Sequence, residues 1–356
     1  MSVITVNQVE TPVLAINMDA LEYNIKAMSD FFAGRKAKLR PHFKTHKSAM
    51  IAHMQVNAGA KGITCAKLGE AEVLAFSGIK DILIANQVAE PSKTDRLAGI
   101  AKSTRMTVCV DNEQNIRELS NSAVSHGSVI HVLIEIDIGM GRCGVSTKEE
   151  VLSLAKCICA SEGLIFEGFQ AYAGQLSHNP NREERVEGVS HAVAKVTSIK
   201  EYLEANGFEI KEISGAGTGT YNITGDNTIW TEIQAGSYVF MDTDYSKLNL
   251  EFKQALTILA TVIHKRPGVA VCDAGQKACC RVVGPPTIVG LPDAVVSLSE
   301  EHGTITDTRD ELKYLQKIEY IPSHCCTTVN LYDYYHCFRG NVLEAVWPIE
   351  GRGRCR

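Results

Sequence analysis

From residue 11 to about 245, short β-branched runs alternate with longer amphipathic stretches. Strands are expected at 12–17, 37–43, 62–66, 81–86, 105–111, 130–137, 164–172, 210–215 and 231–235. Between them, apolar residues at helical period predict helices over 19–32, 47–58, 67–77, 91–102, 112–126, 147–161 and 182–206. Repeated strand–helix alternation requires parallel strands joined by crossover helices. Eight strands lie from residue 37 to 235, enough to close a (β/α)8 barrel. A doubly wound open sheet is the alternative, but no GxGxxG follows the first strand. The expected fold class is therefore α/β, with a TIM-type barrel over 11–250.

After about residue 250 the texture changes. TILATVIHK, GVAVCDAG, PTIVGL, AVVSLSEEHG, KIEYIPSH and NVLEAVWPI read as strands separated by turn residues, with little helical period. This predicts a second, all-β domain over 251–356, with residues 1–10 as a candidate addition. Two domains suit 356 residues at roughly 150 per domain. Acidic residues outnumber basic ones, 41 to 36, which argues against a general nucleic-acid-binding surface. The 45% hydrophobic and 22% charged fractions exclude a mostly disordered chain. No apolar run reaches the roughly 18–20 residues needed to cross a bilayer. The start, MSVITVNQVETPV, lacks the basic opening and apolar core of a secretory signal, so a cytoplasmic location without a membrane partner is expected. Most of the cysteines, such as Cys65, Cys109, Cys157 and Cys159, sit in apolar stretches and read as reduced structural thiols.

Barrel enzymes place their chemistry at the C-terminal ends of the strands. The first such end reads RPHFKTHK, residues 40–47. A lysine there faces the barrel mouth, where burial and neighbouring cations favour the neutral amine that Schiff-base chemistry needs. A solvated basic turn is the competing reading of this segment. On the far side of the barrel, SGAGTGT (214–220) follows the seventh strand and Gly236-Ser237-Tyr238 the eighth. Glycines admit close approach of backbone N–H groups, and barrels often hold a phosphate at these two loops. A lysine after strand 1 and a phosphate cradle after strands 7 and 8 together suggest pyridoxal phosphate.

The motifs RPHFKTHK, EIDIGMGRCGV, QAYAGQLSH, SGAGTGT, QAGSYVFMD, CDAGQKA, EEHG, IPSHCCTTVNLYD and WPIEGRGR follow in order from 40 to 354. This pattern resembles the D-threonine aldolase/D-serine dehydratase family of fold-type III, alanine-racemase-like pyridoxal phosphate enzymes. The resemblance implies a cofactor-carrying barrel, a β-domain with a divalent metal (Zn, Mn or Mg), and a homodimer. By motif, Lys44 resembles the Schiff-base lysine, and Lys47 does not occupy that place. Arg142 resembles the arginine near the cofactor's phenolic oxygen, and Tyr172 the residue meeting the pyridine nitrogen. Gly217, Thr218, Gly219, Gly236, Ser237 and Tyr238 correspond to the phosphate loops. His178, six residues past Tyr172, resembles the aldolases' base for the substrate hydroxyl, a role an imidazole suits.

His324 and Cys326 take the places of the metal ligands. A thiolate favours zinc, whereas a carboxylate favours manganese or magnesium. Cys325, read as one position along a strand, is expected to point the opposite way and be structural. His302 and Lys277 match motif positions without an assigned role. The resemblance implies a lyase that cleaves β-hydroxy-D-amino acids to glycine and an aldehyde. The alternative is a zinc-dependent dehydratase of D-serine or 3-hydroxyaspartate, which the cysteine favours. Less favoured are a racemase, for which Tyr332, Tyr334 or Tyr335 would serve as second acid/base, and a protein of cofactor homeostasis.

Overall fold

The apolar run VLAIN forms β1 (Val13–Asn17), which continues directly into α1 (Met18–Phe32). The structure, a computed structural model, describes residues 3–226, 229–307 and 309–356. The chain divides into two compact units, one of residues 28–44, 51–236 and 354–356, the other of 1–27, 45–50 and 237–353.

The first unit holds β2 (Lys38–Leu39), β3 (Ile63–Cys65), β4 (Asp81–Gln87), β5 (Arg105–Val110), β6 (Ile130–Glu135), β7 (Leu164–Ala171), β8 (Glu212–Gly215) and β9 (Glu232–Ile233). The connections are α2 (Ala49–Asn57), α3 (Leu68–Phe76), α4 (Pro91–Ile100), α5 (Glu113–His126), α6 (Lys148–Cys159), α7 (Arg182–Ala205) and the short α8 (Tyr221–Thr224). The strands run parallel in the order β2–β9–β8–β7–β6–β5–β4–β3. The ring closes where His42 bridges Thr64, with Phe43 N–H donating to Thr64 O at 2.7 Å and Thr64 N–H to Pro41 O at 2.9 Å. The expected eight strands and seven helices are thus present, as a (β/α)8 barrel. Consecutive residues such as Ile82, Leu83 and Ile84 are all fully buried, as in parallel strands covered on both faces. Local chemistry sets the helix ends. Asn112 and Asn181 cap α5 and α7, Thr147 and Glu150 form a capping box on α6, and Gly127 ends α5 in the left-handed region.

The N-terminal mouth of the barrel is filled by charge. Arg40 Nε lies 2.8 Å from Glu232 and its Nη1 2.8 Å from Asp81. Lys61 pairs with Glu212 and Glu232, while Arg105 (2.9 Å) and His131 (2.5 Å) share Glu167. Burial alone would raise the carboxyls. Arg40 and Lys61 outweigh it at Glu232, and Arg105 and His131 at Glu167, so both groups titrate below the usual glutamate range. Such a carboxylate stabilises the fold above its unfolded pKa of about 4.3 and loses that contribution as pH falls through the folded value. Glu232→Ala leaves the Arg40 guanidinium buried beside fewer charges, and a loss of about 3–5 kcal/mol is expected in denaturant titration at neutral pH. The wild-type advantage should shrink as pH drops below about 4. An unchanged midpoint would show that these ion pairs do not hold the barrel together.

The second unit is built on β10 (Leu256–Arg266), β11 (Val269–Cys272), β12 (Thr287–Ile288), β13 (Val296–Leu298), β14 (Gly303–Thr306), β15 (Lys317–Ile321), β16 (Tyr334–Arg339) and β17 (Val342–Pro348), with the five-residue helix α9 (Cys325–Val329). Its sheet runs β13–β14–β11–β10–β1–β16–β17, and β15 pairs with both β10 and β12. β1 lies antiparallel to β10, Leu14 opposite Ile258, and parallel to β16, Leu14 opposite Tyr335. Residues 13–17 therefore belong to this sheet, and not to the barrel span of 11–250 expected from sequence. The chain passes between units at 236/237, ahead of the expected 250/251. Composition marks a strand but does not name its partners, which here lie far along the chain. Among the described residues, no helix is long and apolar enough to cross a membrane.

Candidate active site

Four of the barrel's C-terminal loops meet at Tyr172. This tyrosine follows β7 and is half-buried, its hydroxyl 3.2 Å from Ser177 Oγ. Lys44, on the turn after the His42 bridge, brings Nζ to 5.7 Å from the ring centroid. Arg142, on the loop after β6, brings its guanidinium carbon to 5.9 Å. Gly217, after β8, completes the group. A Cβ there would lie 3.4 Å from Ser177 Oγ and 3.8 Å from the Tyr172 hydroxyl, space that glycine leaves open. At Gly219 a Cβ would run into the Ser177 carbonyl, so only glycine lets these loops approach so closely. Thr218 is buried in the same turn, which Thr220 N–H closes onto Gly217 O at 3.1 Å. Sequence-expected residues Lys44, Arg142, Tyr172, Gly217, Thr218 and Gly219 are thus gathered within this unit.

The fit to a phosphorylated aromatic aldehyde follows from these observations. A small-residue turn offers backbone N–H groups beside hydroxyls, a lysine amine stands at the same phenol, and an arginine supplies positive charge.

His178 is exposed on a turn whose base is fixed to α7. There Arg185 Nη1 donates to Asn179 O at 2.6 Å, and Asn179 Nδ2 donates to Glu184 at 2.7 Å. Gly236 is the last residue of this unit before the chain passes to Ser237 and Tyr238 in the other. Tyr238 is fully buried, its ring centroid 5.4 Å from that of Phe252, so the phenol serves the core. Ser237 is buried with its Oγ 3.8 Å from Cys326 Sγ.

In the second unit, Asp242, His324 and Cys325 carry potential ligand atoms within 4.8 Å of one another. Asp242 is wholly buried. Its Oδ1 accepts N–H bonds from Asp244 (3.1 Å) and Tyr245 (2.8 Å), and its Oδ2 accepts from Cys325 N–H (2.9 Å) and faces His324 Nδ1 at 3.2 Å. His324 also hydrogen-bonds Cys326, whose thiol lies 3.3 Å from Thr45 Oγ1. Burial disfavours the imidazolium, but Asp242 and Cys326 outweigh it and push His324 up to about 10. Burial pushes the Cys325 thiol well up, keeping it protonated. The strand expected here is instead the start of α9, with His324 as N-cap. Strand alternation therefore does not separate Cys325 from Cys326; on a helix neighbouring side chains diverge by only about 100°. Asp242 was missed, although it closes the motif QAGSYVFMD. Lys277 is exposed and pairs with Glu301 at 2.6 Å, and His302 is exposed with its carbonyl accepting Ser299 N–H at 2.9 Å.

Comparisons with known proteins agree with this geometry. Residues 16–244 match the alanine racemase N-terminal domain family, and residues 255–338 match a serine dehydratase domain. That pairing defines an alanine-racemase-like protein with a dehydratase-type β-domain, a class that implies pyridoxal phosphate. The chain is 40% identical to a 3-hydroxy-D-aspartate aldolase of Paracoccus denitrificans, over 98% of this chain and 93% of that one. It is 38% identical to a D-threonine aldolase of an Arthrobacter species, covering 98% and 94%. The crystal structure of D-threonine aldolase from Filomicrobium marinum superposes with a TM-score of 0.96 at 35% identity, covering 99% of this chain and 98% of that one. The chain belongs to the D-threonine aldolase/D-serine dehydratase family.

Proposed function

We propose that the protein is a pyridoxal phosphate- and divalent-metal-dependent lyase that cleaves β-hydroxy-D-amino acids to glycine and an aldehyde. The observation that carries this reading is the meeting of Lys44 and Arg142 at the Tyr172 ring, 5.7 and 5.9 Å from its centroid. Relatives named as aldolases at 40% and 38% identity support the choice of reaction.

Bound pyridoxal phosphate supplies an electron sink for charge developing at Cα. Lys44 would supply the amine for its aldehyde, and Arg142 would supply positive charge at its phenolic oxygen. Tyr172 would stand at the ring nitrogen, where a phenol withdraws electrons less strongly than a carboxylate partner would. By motif, Gly217, Thr218, Gly219, Gly236, Ser237 and Tyr238 are the residues that would hold the phosphate. His178, exposed on its turn, would accept the substrate's hydroxyl proton.

His324 and Cys326 are the candidate ligands for a divalent ion, which would lower the pKa of the substrate hydroxyl. Asp242 accepts three backbone N–H groups and also faces His324 Nδ1. It therefore orients the imidazole, whose hydrogen bond to the half-buried Cys326 thiol sets the two candidate ligands side by side, as carboxylates commonly do behind metal-binding histidines. The thiolate favours zinc. A homodimer and a cytoplasmic location complete the proposal.

Dehydration is the second reading, favoured by cysteine in place of a carboxylate two residues after His324. In it, Lys44 takes the α-proton. Incubation with D-threonine and with 3-hydroxy-D-aspartate separates the two. Glycine with stoichiometric aldehyde is expected, and ammonia with a keto acid and no glycine would overturn the choice. Racemisation gains no support from two of its three candidate tyrosines. Tyr335 is fully buried and donates to His46 O at 2.6 Å, Tyr332 donates to Ala278 O at 2.8 Å, and burial raises both phenols.

A further inference from the structure

Glu135 closes β6, its side chain only 8% exposed, and has no part in the scheme above. Its two oxygens serve different partners. Oε2 accepts Gln87 Nε2 at 2.6 Å, and Oε1 stands 3.8 Å from Arg142 Nη2. Gln87 reaches it because β4 slips register against β5 between Ile84 and Gln87, a bulge of the kind that re-aims a side chain.

The Arg142 loop is fixed at its base. Asp137 Oδ1 accepts N–H bonds from Gly139 (2.9 Å), Met140 (2.9 Å) and Gly141 (3.1 Å). Gly144 N–H donates to Asp111 Oδ2 at 3.1 Å, and Ile136 bridges Val145. Backbone contacts therefore place the loop. They do not aim the long Arg142 side chain, which is 51% exposed and free to sample many rotamers without a counter-charge. Burial and the like charges of Asp111 and Asp137 work against a carboxylate at 135, while Gln87 and Arg142 favour it. The balance lifts the Glu135 carboxyl above the usual glutamate range, and Arg142 is the cation that favours its charged form.

We propose that Glu135 is a positioning residue: tethered by Gln87 to the barrel wall, it aims the Arg142 guanidinium across Tyr172 towards the cofactor's phenolic oxygen. The inference rests on the reading of Arg142 given under the proposed function. Its test uses the full chain loaded with pyridoxal phosphate, as wild type, Glu135→Gln, Arg142→Ala and the double variant. The measurements are kcat, KM, the dissociation constant for pyridoxal phosphate, and the pH at which the bound cofactor's absorbance changes.

Glu135→Gln keeps the shape and removes the charge. It is expected to lower kcat roughly tenfold, through misalignment and not lost binding. The absorbance transition should move in the same direction as in Arg142→Ala, but less far. In the Arg142→Ala background Glu135→Gln should add nothing, because the two act as one unit. Glu135→Asp should recover part of the loss. A wild-type spectrum in Glu135→Gln beside a shifted one in Arg142→Ala, or additive effects in the double variant, would sink the proposal while leaving Arg142 its role. An unshifted spectrum in Arg142→Ala would remove both. Should Glu135→Gln fail to fold, Gln87→Leu cuts the tether and keeps the charge. It is expected to move the same transition, and an unmoved one counts against the proposal.

Discussion

Lys44→Ala is expected to abolish the near-visible absorbance of the bound cofactor and to lower kcat/KM by about 10⁴-fold or more. Covalent attachment needs a primary amine that is neutral for part of the time, at the place where the aldehyde is held. Lys44 brings a primary amine to the Tyr172 ring, with the Gly217 turn beside the same phenol. Lys44→Arg should fail almost as badly, because it keeps the positive charge and supplies no amine that attacks a carbonyl. Lys47→Ala is the informative control. Lys47 is buried, adopts a left-handed φ of 52° and points Nζ at Gly351 O, 3.5 Å away. Its loss should cost stability, but the cofactor's absorbance should persist. Absorbance and borohydride-sensitive labelling of the purified variants decide the matter. Retention of the band in Lys44→Ala with its loss in Lys47→Ala would reassign the attachment.

Most of the barrel was legible because parallel strands covered on both faces read as unbroken β-branched runs. LIEI and its counterparts state their structure locally, and so do caps such as Asn112, Asn181 and the Thr147–Glu150 pair. The failures share a different cause. β1 is locally a strand, but its membership of the second sheet is decided by Ile258 and Tyr335. α9 reads CCTTV, five residues with poor intrinsic helix preference, so a strand was the natural expectation. The bonds from Cys325 N–H to Asp242 and from Thr328 Oγ1 to His324 O turn it into a helix. Both are tertiary or local polar contacts invisible to hydrophobic periodicity. Asp242 and Glu135 were likewise in plain sight, within motifs already singled out. A carboxylate's role depends on who surrounds it. The four contacts of Asp242 become possible because Met241 takes a left-handed φ of 56° just before it, which no propensity scale would indicate.

His324→Ala is expected to remove a stoichiometric divalent ion and to lower kcat about 10²–10³-fold, the several kcal/mol typical of a lost Lewis acid. The argument runs through the polar shell and not the ligand alone. Asp242 takes Nδ1 of His324, and His324 also hydrogen-bonds Cys326, so the carboxylate fixes the ring that sets one candidate ligand beside the other. Asp242→Asn should therefore keep the ligands and weaken the ion roughly 10–100-fold, the usual effect of losing a carboxylate behind a metal-binding histidine. Cys326→Ala should release the ion more readily than Cys325→Ala, since Cys325 is wholly buried and its thiol is held protonated by that burial. Cys326→Asp should shift preference from zinc towards manganese, because it exchanges a soft sulfur for a hard oxygen. Metal analysis of each variant, followed by activity after chelation and re-addition of Zn²⁺ or Mn²⁺, reads all four effects. One ion per chain and full activity in His324→Ala would place the metal elsewhere. Selective loss in Cys325→Ala with none in Cys326→Ala would exchange the two sulfurs and make the buried thiol the ligand.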